Sequence, residues 1–351
     1  MGHRAKNIRR LPVRAVWITR VGGPETLQVR QTPDPEPGPG EVRIRVRAAG
    51  LGFSDLMARM GLYREAPKPP CIVGYEAAGV VDAVGDGVEE SAIGSRVLAA
   101  CNFGAHAEAV CVPADRTAPM PDEMTFEEGA ALPVNYLTAH HLLFRVGGIQ
   151  PGDRVLVHQA AGGVGTALLQ LCRTVEGVTT FGTASAGKHE ALREEGCTHP
   201  IDYRTLDYAR EVRRLTDGKG VDLVLDALGG RDWRAGYRLL RPAGRLVMYG
   251  FSNMAGGGRR SIPRMVKQLA GVPLFSPFSL TDNNRTVAGV HLGHLWDQRE
   301  LLLPQMERVL ELYAKGQIRP RIDEVMPFTE AAAAHRRLQE RRNVGKVILV
   351  P

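Results

Sequence analysis

From about residue 136 the chain alternates short apolar runs with longer stretches of mixed polarity. The apolar runs fall at Arg154–Val157, Val178–Phe181, around Ile201, at Val221–Leu225 and at Arg245–Tyr249. Runs this short predict strands, and the residues between them punctuate like helices and turns. His189–Glu195 is charged and ends at Gly196, while Pro242-Ala243-Gly244 breaks the chain after the apolar Tyr237–Leu240 stretch. Strand and helix in alternation predict an α/β fold with a doubly wound parallel sheet. Residues 12 to about 135 read differently: short strands such as Val42–Val46 and Gly79–Val84 stand among Pro and Gly turns, including Pro33–Gly40, which is the pattern of a compact β-rich module. Leu301–Tyr313 is an amphipathic helix, and the last fifty residues are expected to return to the first module. The expected domains are therefore 12–135 with 299–351, and 136–298. Thr286–Gly293 reads as an edge strand at the far side of the parallel sheet. Phe251–Arg285 is long for a connection, and its apolar Leu274, Phe275, Phe278 and Leu280 suit a cleft wall, a subunit contact or ordinary packing.

The run RVLVHQAAGGVGTALLQL from Arg154 to Leu171 is the most informative of these segments. It reads as a buried strand turning through a glycine loop into a helix. Gly162, Gly163, Val164 and Gly165, with Ala160 where a first glycine usually sits, would let the backbone approach a pyrophosphate, and the free amides of the following helix offer positive partial charge. The plainer reading is a strand-to-helix turn whose glycines serve close packing.

Composition changes little in this picture. The 351 residues suit about two domains, 44% of them are hydrophobic, and no run is long enough to span a bilayer. The basic MGHRAKNIRR leader lacks the apolar segment of a secretory signal, so cytoplasm is the expected compartment. The five cysteines form no C-x-x-C pair and suit reduced thiols. Cys101, His106 and Cys111 lie close in sequence, but Asn102-Phe103-Gly104 reads as a hairpin turn that would splay them, so no metal is expected. The formal charge of +7 fits a phosphate-bearing cofactor. Only seven of the 45 basic residues are lysine, and the arginines are scattered, which speaks against a patterned nucleic-acid surface. The densest basic cluster, His335–Lys346, reads as a solvated face.

Several longer segments resemble the zinc-free branch of the medium-chain dehydrogenase/reductase superfamily, the quinone oxidoreductases, and within it the vesicle amine transport protein homologues. They are GFSDLMARMGLY (Gly52–Tyr63), GYEAAGVV (Gly74–Val81), MTFEEGAALPVNYLTAHHLL (Met124–Leu143), GTASAGKHEAL (Gly182–Leu192), HPIDY (His199–Tyr203) and the terminal NVGKVILVP, together with the glycine loop. The resemblance implies a GroES-like catalytic domain interrupted by a Rossmann domain, NADPH as cofactor, and reduction of quinones or α,β-unsaturated carbonyls. It also implies a homodimer paired through the edge strand. Zinc-dependent relatives carry Gly-His-Glu where this chain has Gly74-Tyr75-Glu76, and a cysteine ligand in the region of Gly52-Phe53-Ser54; both ligands are missing, which implies metal-free chemistry.

NADPH is also readable from the residues. The strand whose end usually carries an acid for the ribose 2′-hydroxyl ends here in Gly182-Thr183-Ala184-Ser185; the small hydroxyl residues Thr183 and Ser185 are expected at the cofactor, leaving room for a 2′-phosphate that Lys188 and Tyr203 could bind. A solvated Lys188 and a packing Tyr203 are the alternative. Tyr63 matches a cleft tyrosine of related reductases, as a hydrogen-bond donor to a developing enolate or as an apolar wall. Asn135 could donate its amide to a carbonyl or the nicotinamide, or could cap a helix beginning near Leu137. Thr138, Gly250, Phe251 and Asn343 match family positions beside the cofactor. His140 and His141 read as core or interface residues, and Asp55 as a loop fastener. Gly52 stands where the family commonly has asparagine. Two other activities suit the same residues: an enoyl-thioester reductase docking an acyl carrier protein, and an NADPH-binding regulatory protein associated with vesicles or RNA.

Overall fold

The structure, a computed structural model, describes residues 11–253, 266 and 268–351. It divides into two compact units, one comprising the residues up to Ala130 with Val325–Arg336 and Ile348–Pro351, the other Ala131–Glu324 with Arg337–Val347.

The first unit is built on β-sheet. β1 (Val13–Ile18), β2 (Leu27–Thr32) and β4 (Cys71–Ile72) form a three-stranded antiparallel sheet in the order β2-β1-β4. β3 (Glu41–Leu51), β5 (Glu76–Val84), β6 (Arg96–Ala100), β7 (Ala109–Pro113) and β8 (Thr117–Pro119) belong to a second sheet, where β5 and β7 flank β3 antiparallel. Val42, Ile44 and Val46 alternate inward along β3 and meet Val81, Val97, Val110 and Val112, the period-2 burial of a sheet with one wet face. α1 (Phe53–Arg59) follows β3 directly. β6 and β7 do not pair with one another, so Asn102-Phe103-Gly104 is not a hairpin turn. The loop instead runs beside Val73 and Gly74, which accept the amides of His106 and Ala105.

In the second unit, β9 (Arg154–Val157), β10 (Thr179–Ala184), β11 (His199–Asp202), β12 (Val221–Asp226), β13 (Leu240–Met248) and β14 (Thr286–Gly289) form an all-parallel sheet in the order β11-β10-β9-β12-β13-β14. The order reverses between β9 and β12, which makes their carboxyl ends the switch point where such sheets bind ligands. Every residue of β12 is buried, as expected of a parallel strand covered on both faces. α2 (Phe126–Ala131) leads from the first unit, and α3 (Pro133–His140), α4 (Gly163–Cys172), α5 (His189–Glu194), α6 (Tyr208–Leu215) and α7 (Arg231–Leu239) alternate with the strands. β13 begins five residues earlier than its apolar run: Leu240 pairs with Val221, and pairing resumes only at Arg245. Pro242-Ala243-Gly244 thus interrupts the ladder, with Ala243 at φ +65°, and does not end the element.

The helix Arg299–Ala314, assigned from sequence to the first module, lies in the second unit. Its Leu302 packs on Leu137 and Leu292, and its Gln305 Oε1 sits 3.3 Å from His140 Nδ1 and 3.2 Å from His141 Nδ1. Those apolar and polar contacts with α3 and the turn after it outweigh chain proximity to residues 325–351. The cluster His335–Lys346 is not a solvated face throughout, because His335 and Lys346 are buried and Arg337 is ion-paired with Asp323. Of Phe251–Arg285, Leu274 and Phe278 are exposed and Phe275 rests against Tyr237; residues 254–265 and 267, like the leader, fall outside the described residues. β14 is the sheet's edge strand.

Candidate functional site

In the second unit the glycine loop joins β9 to α4 at the switch point. Gly162 is the N-cap of α4 and carries no side chain to satisfy the helix's first amides, so those of Gly163, Val164 and Gly165 point out of the helix end without an intrahelical acceptor. The close approach of strand and helix requires glycine. A Cβ on Gly165 would lie 2.7 Å from two backbone atoms of Ala160 and closer still to the Gln159 carbonyl oxygen, and one on Gly163 would lie 2.9 Å from Cγ of Asn135. The result is a bare, electropositive cradle bounded by backbone, the geometry that accepts a pyrophosphate.

Asn135 is the third residue of α3 and buried, so the capping role is excluded; Leu132 occupies the N-cap. Its amide makes no hydrogen bond within the described residues and packs against Gly163. Thr138 lies one turn on, on the same face of α3, also buried. Opposite, the C-terminal NVGK segment runs beside the loop: Gly345 bridges to Gly162, and its amide donates to the Ala161 carbonyl at 2.9 Å. Asn343 serves this turn internally, its Nδ2 donating to the Gly345 carbonyl at 2.9 Å.

The proposed phosphate-binding residues divide into two groups. Ser185 opens the turn after β10 and Tyr203 follows β11, 39% exposed. Lys188 is half-buried, with Nζ donating to the carbonyls of Arg341 (2.7 Å) and Asn343 (2.6 Å), and burial lowers its pKa. Thr183 differs from expectation: its side chain is buried, and its hydroxyl is taken up by the Gln159 amide (3.3 Å) and His158 Nδ1 (3.1 Å), so it shapes the loop from beneath. Gly250 lies so close to the turn after β12 that a Cβ there would come within 2.9 Å of the Ala227 carbonyl oxygen, and the adjoining Phe251 ring meets Trp233 edge-on.

Sequence reasoning missed the polar layer under this cradle. His158, which follows β9, and Asp226, the last residue of β12, are both fully buried, with Nε2 and Oδ2 3.9 Å apart. Gln159, at φ +53°, donates its side-chain amide to the Ser252 hydroxyl. The available signal was a polar residue closing each apolar run. His140 and His141 share Gln305, and burial lowers both pKa values.

In the first unit Tyr63 packs over Ile18, Ala58, Cys71 and Val73, its ring edge-on to Tyr75 at 5.8 Å, and Tyr75 in turn meets Phe103 at 5.1 Å. Burial pushes the Tyr63 phenol up to about 12 and the Tyr75 phenol further, so both hold their protons. Asp55 is the fastener expected: its carboxylate accepts the amides of Gly52 (2.7 Å) and Gly74 (2.9 Å). Gly52 itself has φ −114°, a conformation open to any residue.

These residues do not fit a catalytic zinc. A protonated phenol at Tyr75 offers no ligand of imidazole strength, Gly52 and Ser54 offer no thiolate, and burial pushes the Cys101 thiol up to about 12. Among the described residues, no helix is long and apolar enough to cross a membrane.

Residues 38–122 match the family described as alcohol dehydrogenase GroES-like domain, and 195–349 the family described as zinc-binding dehydrogenase. The rat synaptic vesicle membrane protein VAT-1 homolog is 49% identical over 97% of this chain and 84% of its own length. The crystal structure of human VAT-1 homolog-like protein superposes with a TM-score of 0.84 at 38% identity, covering 97% of this chain and 99% of that one. The Escherichia coli quinone oxidoreductase complexed with NADPH does so at 0.82 and 29%, covering 96% and 100%. A β-rich unit of the GroES-like kind, a parallel sheet with a glycine cradle at its switch point and these full-length likenesses lead to one assignment: the chain belongs to the medium-chain dehydrogenase/reductase family, in the quinone-oxidoreductase-like group that includes the VAT-1 homologues.

Proposed function

We propose that this chain is an NADPH-dependent, zinc-free reductase of quinones and α,β-unsaturated carbonyls. The observation that carries the reading is the uncapped N-terminus of α4, walled by glycine backbone at the switch point of a parallel sheet. A bound reduced nicotinamide supplies hydride to an enone β-carbon or a quinone, leaving negative charge on the substrate oxygen. The chain's own residues then have three tasks. The amides of Gly163, Val164 and Gly165 bind pyrophosphate oxygens. β10 ends without a carboxylate of its own to grip a free 2′-hydroxyl, and the Lys188 ammonium, with two of its three N–H groups on carbonyls, has one left for a 2′-phosphate. Tyr63, held protonated by burial, donates a hydrogen bond to the charged oxygen, and the unengaged Asn135 amide orients a carbonyl or carboxamide.

Fluorescence titration with NADPH and NADH, followed by NADPH oxidation over quinones, enones and enoyl thioesters, tests this. Preferred binding of NADPH with turnover of quinones or enones is the expected result. Equal affinities would remove the 2′-phosphate argument, and turnover of thioesters alone would make the chain an enoyl-thioester reductase. Tight binding without turnover of any class would refute the enzyme reading in favour of a regulatory one.

A further inference from the structure

His158 and Asp226 stand on either side of the switch point, one at the end of each adjoining strand, and the reaction above uses neither. Asp226 Oδ1 accepts the amides of Leu228 (2.6 Å) and Gly229 (3.1 Å), which form the turn after β12. Its Oδ2 faces His158 Nε2, and neither atom has a hydrogen-bond partner within the described residues. Across the ring, the Thr183 hydroxyl accepts the Gln159 amide and lies 3.1 Å from His158 Nδ1, to which it can donate its proton. In that arrangement a ring proton on Nε2 faces Asp226 Oδ2 at 3.9 Å. The first amide of the glycine loop and the Leu228–Gly229 turn are thus tied to the two sides of one buried His158–Asp226 pair.

Further bonds brace the same assembly. Tyr208 stands edge-on to the imidazole at 4.7 Å and donates its hydroxyl to Asp232 Oδ1 at 3.0 Å, while Asn253 Nδ2 donates to Asp232 Oδ2 at 2.9 Å. The Ser252 and Asn253 amides donate to the carbonyls of Ala227 (3.0 Å) and Leu228 (3.1 Å). The loops after β9, β12 and β13 are therefore one hydrogen-bonded body. The groups facing Asp226 are His158 from β9, Tyr208 from α6, Asp232 from α7 and Tyr249 after β13; burial pushes the Asp226 carboxyl and both phenols up. Apolar residues would fill this space without the cost of burying polar groups, but they could not hold three loop amides at fixed positions.

We infer that His158, Thr183 and Asp226 are positioning residues that set the glycine loop against the Leu228–Gly229 turn, and with it the width of the crevice that receives the dinucleotide. The inference rests on reading that crevice as the NADPH site. It is tested on the full chain by ¹⁵N-histidine NMR, NADPH titration and amide hydrogen exchange. His158 is expected as the Nε2–H tautomer, and Asp226→Asn, whose side-chain N–H would face the ring, should switch it to Nδ1–H. Thr183→Val should weaken NADPH binding roughly tenfold, about 1.4 kcal/mol, and Thr183→Ser should restore it. An Nδ1–H tautomer in the wild type, an unswitched ring in Asp226→Asn, or wild-type affinity in Thr183→Val would each overturn the inference. Should the wild type bind no NADPH, the cofactor reading falls separately. Faster exchange of the Gln159 and Leu228–Gly229 amides in Thr183→Val would still support the positioning role, and unchanged exchange would refute it.

Discussion

Adding one methyl group at each of the three glycines of the cradle should produce graded losses, because their neighbours differ in their freedom to move. A Cβ at Gly162 would meet only the Gln159 carbonyl oxygen at 3.3 Å, a contact relieved by a few tenths of an ångström. At Gly163 it would meet the Asn135 side chain, which can rotate away. At Gly165 the obstruction is Ala160 and Gln159 backbone; the Ala160 atoms, at 2.7 Å, are short of favourable carbon contact by about 0.8 Å, and no rotamer relieves it. Overpacking costs about 1–3 kcal/mol, so Gly165→Ala belongs at the upper end, which lowers Tm by roughly 4–8 °C. Opening the turn also moves the loop amides, and losing one charge-assisted contact of about 1.5–3 kcal/mol weakens NADPH roughly tenfold to a hundredfold. Gly163→Ala should leave Tm nearly unchanged and reduce turnover through Asn135, and Gly162→Ala should do least. Differential scanning fluorimetry with NADPH titration measures all three. A Gly165→Ala protein with wild-type Tm and affinity would show that strand and helix are not in the tight contact on which the cradle depends.

Lys188→Ala should cut the preference for NADPH over NADH by about 1.5–3 kcal/mol if Nζ meets the 2′-phosphate; fluorescence titration showing both cofactors weakened alike would assign the residue to holding residues 341–343 instead. Tyr63→Phe should lower kcat about 10- to 100-fold with NADPH affinity constant, and because the phenol titrates only near 12, wild-type kcat should show no loss from this group between pH 8 and 10; unchanged turnover would make the ring a wall. Elemental analysis should find no stoichiometric zinc, and chelators should spare activity; one tightly held zinc per chain would refute the metal-free proposal. Among the described residues β14 is the sheet's edge strand and could pair antiparallel with a second copy, so light scattering should report a homodimer, and a monomer at micromolar concentration would contradict it.

Much of the second unit was legible because its signals are local. A fully buried parallel strand such as Val221–Asp226 must be apolar nearly throughout, and a helix brought tight against a strand must carry glycine at the crossing, so Gly162–Gly165 is visible without coordinates. Gly196 ends α5 at φ +98°, a conformation that glycine adopts without strain. Asn135 shows the limit: amide side chains serve equally as caps or ligands, and only its place three residues into α3, against Gly163, separates the two.

The sequence by itself determined the fold class, the glycine cradle and the family, since periodicity, turn chemistry and motif spacing are written within a few residues of one another. Tertiary structure decided what depends on neighbours distant in the chain. Thr183 turned inward because His158 and Gln159 directly follow the adjoining strand, Lys188 found the carbonyls of Arg341 and Asn343 more than 150 residues away, and Arg299–Ala314 joined the second unit through Leu137 and Leu292. His158 and Asp226 are separated by 68 positions, and each alone reads as a polar residue at the end of an apolar run. Burial removes water as a partner, so the meaning of such a residue is set by whichever donor or acceptor the fold places opposite it.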